Sequence, residues 1–179
     1  MEKSIKEIKA EFAGLDTEGL RGFLEEYADD DRSGVAQLKK RAGMLLKKYD
    51  QEVERTERML SYEREYSCYS AICGIDEVGR GPLAGPVVAG AVILPKDDVI
   101  LYLNDSKQLS GAKREELYEI ISQRAVAWSV GMVDNVRIDE INILQATYEA
   151  MRKAIMKLTV RPDILLNDAV NIPGVDIRQ

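Results

Sequence analysis

Three acids and one arginine are the residues whose types and spacing could carry out chemistry. Asp76 and Glu77 are adjacent and follow the apolar run I-C-G-I (72–75). Arg80 comes next, between Gly79 and Gly81, ahead of a second apolar run, P-V-V-A-G-A-V-I-L-P (86–95). Asp168 stands far along the chain, after L-L-N (165–167). Carboxylates packed together repel, and their pKa values rise unless a cation neutralises them. Hard oxygen ligands suit Mg²⁺ or Mn²⁺. Two such ions about 4 Å apart hydrolyse phosphodiesters by activating water and holding the leaving oxygen. Arginine supplies planar donors for phosphate. Flanking glycines let the backbone approach a ligand and turn N–H groups toward an anion. Backbone groups there could also touch a 2′-hydroxyl, which separates RNA from DNA.

Each residue also has a plainer reading. An isolated Asp-Glu pair is most often a solvated turn, and Asp168 in N-D-A fits an Asx turn after a strand. Arg80 fits an exposed hairpin position. The apolar run before the acids and the Pro/Gly-rich segment after them weigh toward a site.

Composition narrows the chemistry. The chain has 179 residues and no histidine. That excludes Ser-His-Asp and Cys-His catalysis and zinc sites with imidazole ligands. Any catalyst must use carboxylates, Lys, Tyr, Cys or an oxygen-held metal. The two cysteines, Cys68 and Cys73, are too few for a zinc knuckle or a disulfide framework, and imply thiols of a reducing compartment. Net charge is −6, shared evenly along the chain, which argues against indiscriminate charge-driven binding of nucleic acid. A local basic groove or a metal-mediated phosphate contact stays compatible with it. Hydrophobic content of 45% supports a real core. No signal peptide or membrane-spanning run is visible, so a cytoplasmic protein without membrane association is expected. Neither G-x-x-x-x-G-K-[ST] nor G-x-G-x-x-G after a strand occurs, which weakens a nucleotide-binding reading.

The elements that must position these residues fall into two parts. Residues 1–68 read as a helical extension. Ser4–Ala13 is a short helix, Asp16 or Thr17 caps a second through about Tyr27, and a long charged helix runs from about Val35 to Tyr66. Its alternating charges read as a solvated face, with Lys39, Lys40 and Arg41 as the alternative, a nucleic-acid contact. Residues 69–179 read as α/β. Strands are expected at Ile72–Ile75, Val87–Leu94, Val126–Val133 and Ile164–Leu166. Helices are expected over about Ala112–Ala125, capped by Ser110, and from an Asp139 cap to about Leu158. The order β-β-α-β-α-β implies a mixed sheet with helices on its faces.

If the first and fourth strands are parallel neighbours, Asp76 and Asp168 meet at one edge, with strands about 4.8 Å apart. Consecutive strand residues face opposite ways, so Asp76 and Glu77 are expected at a strand end or a bulge.

The block G-I-D-E-V-G-R-G-P-L-A-G-P-V-V-A-G-A-V-I-L-P resembles ribonuclease HII, the bacterial type 2 ribonuclease H. The resemblance continues through L-N-D-S-K-Q-L-S (103–110), K-R-E-E-L-Y (113–118), I-N-I-L-Q-A-T-Y-E-A-M (141–151) and L-L-N-D-A-V (165–170). The helical part is similar to the extension carried by some Firmicute-type members. The resemblance implies an RNase H-like fold and Mn²⁺- or Mg²⁺-dependent endonucleolytic cleavage. Substrates would be RNA in RNA–DNA hybrids and DNA carrying single ribonucleotides, incised on their 5′ side, by a monomer. It implies Asp76, Glu77 and Asp168 as metal-binding acids, Gly79, Arg80 and Gly81 as the junction-recognising segment, and Lys107 as a substrate contact.

The departures are Asn167, where many members have an apolar residue, and the end of the chain. The family continues into a stretch with a fourth catalytic acid, a substrate tyrosine and C-terminal helices. Asp176 is not expected to replace that acid. The chain therefore reads as a C-terminally truncated catalytic domain, with exposed apolar surface on its sheet. Two other classes compete with an active nuclease: a module that binds RNA–DNA junctions without cutting, and a helical protein-interaction element joined to a remnant.

Overall fold

The computed structural model describes residues 3–82, 84–96, 98–168 and 171–179. Leu83, Ala169 and Val170, from the motifs above, lie outside the described residues. The chain divides into two compact units, Met1–Met59 and Leu60–Gln179.

The first unit is three helices. Helix α1, Ile5–Phe12, begins with a capping box in which Ser4 and Glu7 satisfy each other's backbone N–H groups. Helix α2, Thr17–Glu26, starts where the Asp16 carboxylate accepts from Gly19 N. Helix α3 spans Ser33–Met59. Its apolar spacing at 35, 38, 42 and 46 buries Val35, Leu38, Ala42 and Leu46 against Ile8, Phe12, Leu20, Phe23 and Tyr27. The Phe12 and Phe23 rings meet edge to face, centroids 5.1 Å apart. The long helix expected to reach Tyr66 stops at Met59. Leu60 takes up a non-helical ψ of 17°, and a separate turn of helix, α4 (Ser61–Glu65), follows.

The second unit is a four-stranded mixed sheet in the order β3-β2-β1-β4. The strands are β1 (Ile72–Val78), β2 (Val87–Ile93), β3 (Ala127–Val133) and β4 (Ile164–Asn167). β1 and β2 pair antiparallel, as do β2 and β3. β4 joins β1 in parallel. Helix α5, Gly111–Arg124, is capped by Ser110, and helix α6, Asn135–Lys157, by Asp134 rather than Asp139. Asn142 interrupts α6 with φ 67°, and its side-chain oxygen accepts from Gln145 N, so it caps the longer second segment. Asparagine is among the few side chains that tolerate positive φ and cap locally.

α6 covers one face of the sheet. Ala146, Ala150 and Ala154 let its backbone come close, and an added Cβ at Gly131 would stand 2.0 Å from Ala150 O. The Ser129 hydroxyl donates to Ala154 O at 2.6 Å. Alternation in β3 follows from this: Ala127, Ser129, Gly131 and Val133 are buried while Trp128, Val130 and Met132 are exposed. On that open face Met132 is 56% and Trp128 42% exposed, and Tyr118 of α5 meets Trp128 edge to face, at 6.0 Å.

Candidate active site

β1 is an apolar strand whose last third carries the acids. The pairing with β4 runs from Ile72↔Ile164 to Ile75↔Asn167. Asp76 is the next residue of β1 and Asp168 the first beyond β4, so they stand at equivalent positions just past the end of the parallel pairing. Both are exposed. The expected parallel neighbourhood of the first and fourth strands is therefore present. Strand spacing of about 4.8 Å puts the two within reach of one cation.

The expected strand end or bulge at Asp76-Glu77 is not. β1 continues to Val78, and Asp76↔Gly90 and Glu77↔Ala89 are ordinary ladder pairs. The pleat therefore sends the two side chains to opposite faces. Asp76 Oδ1 accepts from Glu77 N at 2.8 Å, and Glu77 Oε1 accepts from Arg80 Nη1 at 3.3 Å. The ion pair is partly open to water, with the arginine side chain 46% exposed, and contributes little to stability. Among the described residues, no three His, Cys, Asp or Glu side chains form a metal-holding group.

The face around Asp76 is bare. Gly74 precedes it by two residues, Gly90 lies opposite, and a Cβ on Gly90 would meet nothing within 4 Å. Asp76 thus opens onto a groove of about 530 Å³ that continues past Leu166 to Trp128 and Tyr118. Sequence reading passed over these two glycines. Their signal was parity: Gly74 shares a face with Asp76, and A-G-A places a glycine in mid-strand.

The glycines around Arg80 differ. Gly79 has φ 92°, and a Cβ there would stand 2.4 Å from Pro86 O, so this position requires glycine. Gly81 has open space around it. Lys107 is exposed in a short 3-10 turn, Ser106–Gln108, where the Asp105 carboxylate accepts from Lys107 N at 2.9 Å. Arg114 fastens that turn by donating to Leu109 O at 2.7 Å and Ser106 O at 3.2 Å. Asp176 belongs elsewhere: its backbone oxygen accepts from Arg161, beside the end of α6.

A mixed sheet with two carboxyl-bearing residues just past the end of its parallel pairing is an α/β arrangement in which ligands collect at that edge. Comparison with known proteins is more specific. The family model for ribonuclease HII matches residues 73–176, and that for the ribonuclease HII N-terminal domain matches 4–67. The chain belongs to the ribonuclease HII family, whose members are endoribonucleases. It is 52% identical to ribonuclease HII of Lachnoclostridium phytofermentans over its whole length, covering 70% of that protein. It is 47% identical to ribonuclease HII of Clostridioides difficile, covering 71% of it. The crystal structure of ribonuclease H2 from Pyrococcus horikoshii is similar with a TM-score of 0.45 and 28% identity, over 59% of this chain and 52% of that one. The Bst-RNase HIII structure in complex with Mn²⁺ has a TM-score of 0.42 and 19% identity, over 55% and 36%. Among the described residues no helix is long and apolar enough to cross a membrane.

Proposed function

We propose that this chain is a divalent-metal-dependent endonuclease that hydrolyses the RNA strand of RNA–DNA hybrids and incises DNA 5′ to an embedded ribonucleotide. The observation that carries the reading is the parallel register that ends with Asp76 beside Asp168. Two exposed carboxylates at that spacing, with no histidine in the chain, fit a hard cation such as Mg²⁺ or Mn²⁺. When bound, such a cation would activate water and neutralise developing charge on a phosphoryl oxygen. Asp76 and Asp168 would hold it. Glu77 joins the acid set on the strength of the family, while its side chain here keeps Arg80 oriented.

The protein's own part in the reaction is positioning. Gly79 lets the backbone turn tightly against Pro86, which presents Arg80 at the end of the hairpin to a phosphate. The open ground over Gly81 admits a sugar edge to the backbone. Lys107, held in its pinned turn, would add a second cation toward the backbone of the duplex. Residues 69–179 would act as the catalytic domain and 1–68 as a helical extension. A monomer in a reducing cytoplasm suits the free thiols Cys68 and Cys73.

The opposite facing of Asp76 and Glu77 favours a second reading, in which the chain holds RNA–DNA junctions without cutting them. One experiment separates the two. A labelled DNA duplex with one ribonucleotide is incubated with the 179-residue chain and Mg²⁺, Mn²⁺ or EDTA. Metal-dependent incision 5′ to the ribonucleotide supports the nuclease. Junction binding with no product supports the second reading, and neither binding nor product refutes both.

A further inference from the structure

The pairing that brings Asp76 beside Asp168 joins β4 to β1 over a short run, Ile72↔Ile164 to Ile75↔Asn167. Polarity does not choose its register. Ile164, Leu165 and Leu166 are all apolar, and Ile164 and Leu165, which face opposite ways, are both buried. Such a run has no apolar-polar alternation to favour one register over the next. One side chain fastens the start of the pairing. Asp163 Oδ2 accepts from Ser70 N and from Ala71 N, each at 2.9 Å. The Asp163 backbone N–H donates in turn to Ala71 O at 2.9 Å. Asp163 and Ala71 are 92 residues apart, so this is not the local turn an aspartate at a loop end usually makes. It ties the residue just before β4 to the residues just before β1.

We propose that Asp163 is a positioning residue of the candidate metal site: by clamping the entry of β4 to the entry of β1 it sets the register that delivers Asp168 to Asp76. The inference rests on the metal-site reading above and adds to it a residue remote from the site. An extended chain from Asp163 to Asp168 covers about 16 Å, so Asp163 touches neither cation nor substrate and acts through the backbone. A register shift of one residue would reverse the facing of Asp168, and a shift of two would carry it about 6.6 Å along the strand. Either shift would pull the Asp163 carboxylate away from Ser70 N and Ala71 N, so both cost the clamp. A carboxylate suits this task. It is an acceptor only, and its hydrogen bonds are stronger than those of a neutral acceptor. Arg178 supports the same corner: Leu165 N donates to Arg178 O at 2.8 Å, and the Arg178 guanidinium donates to the Tyr69 hydroxyl at 2.9 Å.

The test compares the full native chain with D163A and D163N by two readouts. Amide hydrogen exchange in EDTA, read by mass spectrometry, reports the β1–β4 pairing without metal or substrate. Titration with Mn²⁺ alone, followed by the free-ion spin resonance signal, reports the acid pair, with D76N fixing the background uptake. D163A is expected to lose about tenfold or more of the protection of residues 164–167, with β2 and β3 unchanged. Its Mn²⁺ affinity should fall about tenfold, since the two acids no longer share one ion. D163N should keep both properties within about threefold of native, because its amide oxygen can still accept from both N–H groups. Should D163A not fold, D163S takes its place, with a hydroxyl that makes such contacts more weakly. Native protection of 164–167 in the alanine or serine variant overturns the inference. So does protection lost equally from β2 and β3, which marks a general loss of stability, and so does unchanged Mn²⁺ affinity alongside lost pairing. Failure of D163N to rescue overturns it as well. Absence of Mn²⁺ binding above background in the native chain counts against the metal-site reading instead, and hydrogen exchange then decides the clamp by itself.

Discussion

At the residue scale, Asp76 and Asp168 are the pair on which the functional reading turns. D76N and D168N are each expected to cut metal-dependent incision by about 100-fold or more while leaving thermal stability nearly unchanged, since both side chains are exposed. Incision rates and melting curves on the same preparations check this. Glu77→Gln is expected to cost activity and also free Arg80, so its effect on junction affinity should exceed that of D76N. The thiols give an independent check on the packing. Cys73 is fully buried on β1 and burial pushes its thiol up to about 11, whereas Cys68 is exposed. A thiol with a raised pKa stays protonated and inert at neutral pH. One reactive thiol per native chain and two per unfolded chain are therefore expected in an alkylation assay. Asp76, Glu77 and Asp168 stood out as candidates by residue type, with a solvated turn as their plainer reading, and the metal-binding role proposed for them rests on the family resemblance. The opposite facing of the first two was not legible, because it depends on β1 running on to Val78, and E-V-G carries no signal that separates a last strand residue from a first loop residue.

At the element scale, the strands and helices followed from periodicity, and the misplacements were local. The strict alternation of β3 and the apolar run of β2 gave their limits to within a residue. The start of α6 was misplaced because Asp134 and Asp139 are both plausible caps, and the break at Asn142 comes from backbone geometry that residue type only permits. The end of α3 was missed because nothing in R-M-L-S-Y disfavours helix. The α6–β3 contact is close at Gly131 and Ser129. G131A is expected to destabilise it by about 3 kcal/mol or more, since the added carbon meets backbone, which cannot rotate away. G81A should be close to neutral for stability, having open space around it, and denaturant unfolding of both variants separates the two cases.

At the scale of the whole molecule, charge and exposed apolar surface set the behaviour in solution. Asp30 and Glu149 are held below the usual carboxylate range, Asp30 by its hydrogen bonds with Arg32 and Glu149 by those with Lys153 and Arg137. A depressed folded pKa means stability that is present above the unfolded values of 3.8 and 4.5 and is lost as pH falls through the folded ones. The melting temperature is thus expected to be level from neutral pH to about 5 and to fall below about 4, as a pH series of thermal scans would show. The open sheet face, with Trp128, Val130 and Met132 together, is expected to bind a hydrophobic dye in the folded state and to quench Trp128 on doing so.

The four-residue pairing of β4 with β1 has a consequence at the level of the gene. Losing or gaining one codon within 164–167 would shift β4 by one residue, and Asp168 would land on the opposite side of the sheet from Asp76. A change of two codons would move it about 6.6 Å along the strand but keep its facing. Length variation in this short segment is thus filtered by parity, because an odd indel also turns the buried Ile164 and Leu165 over.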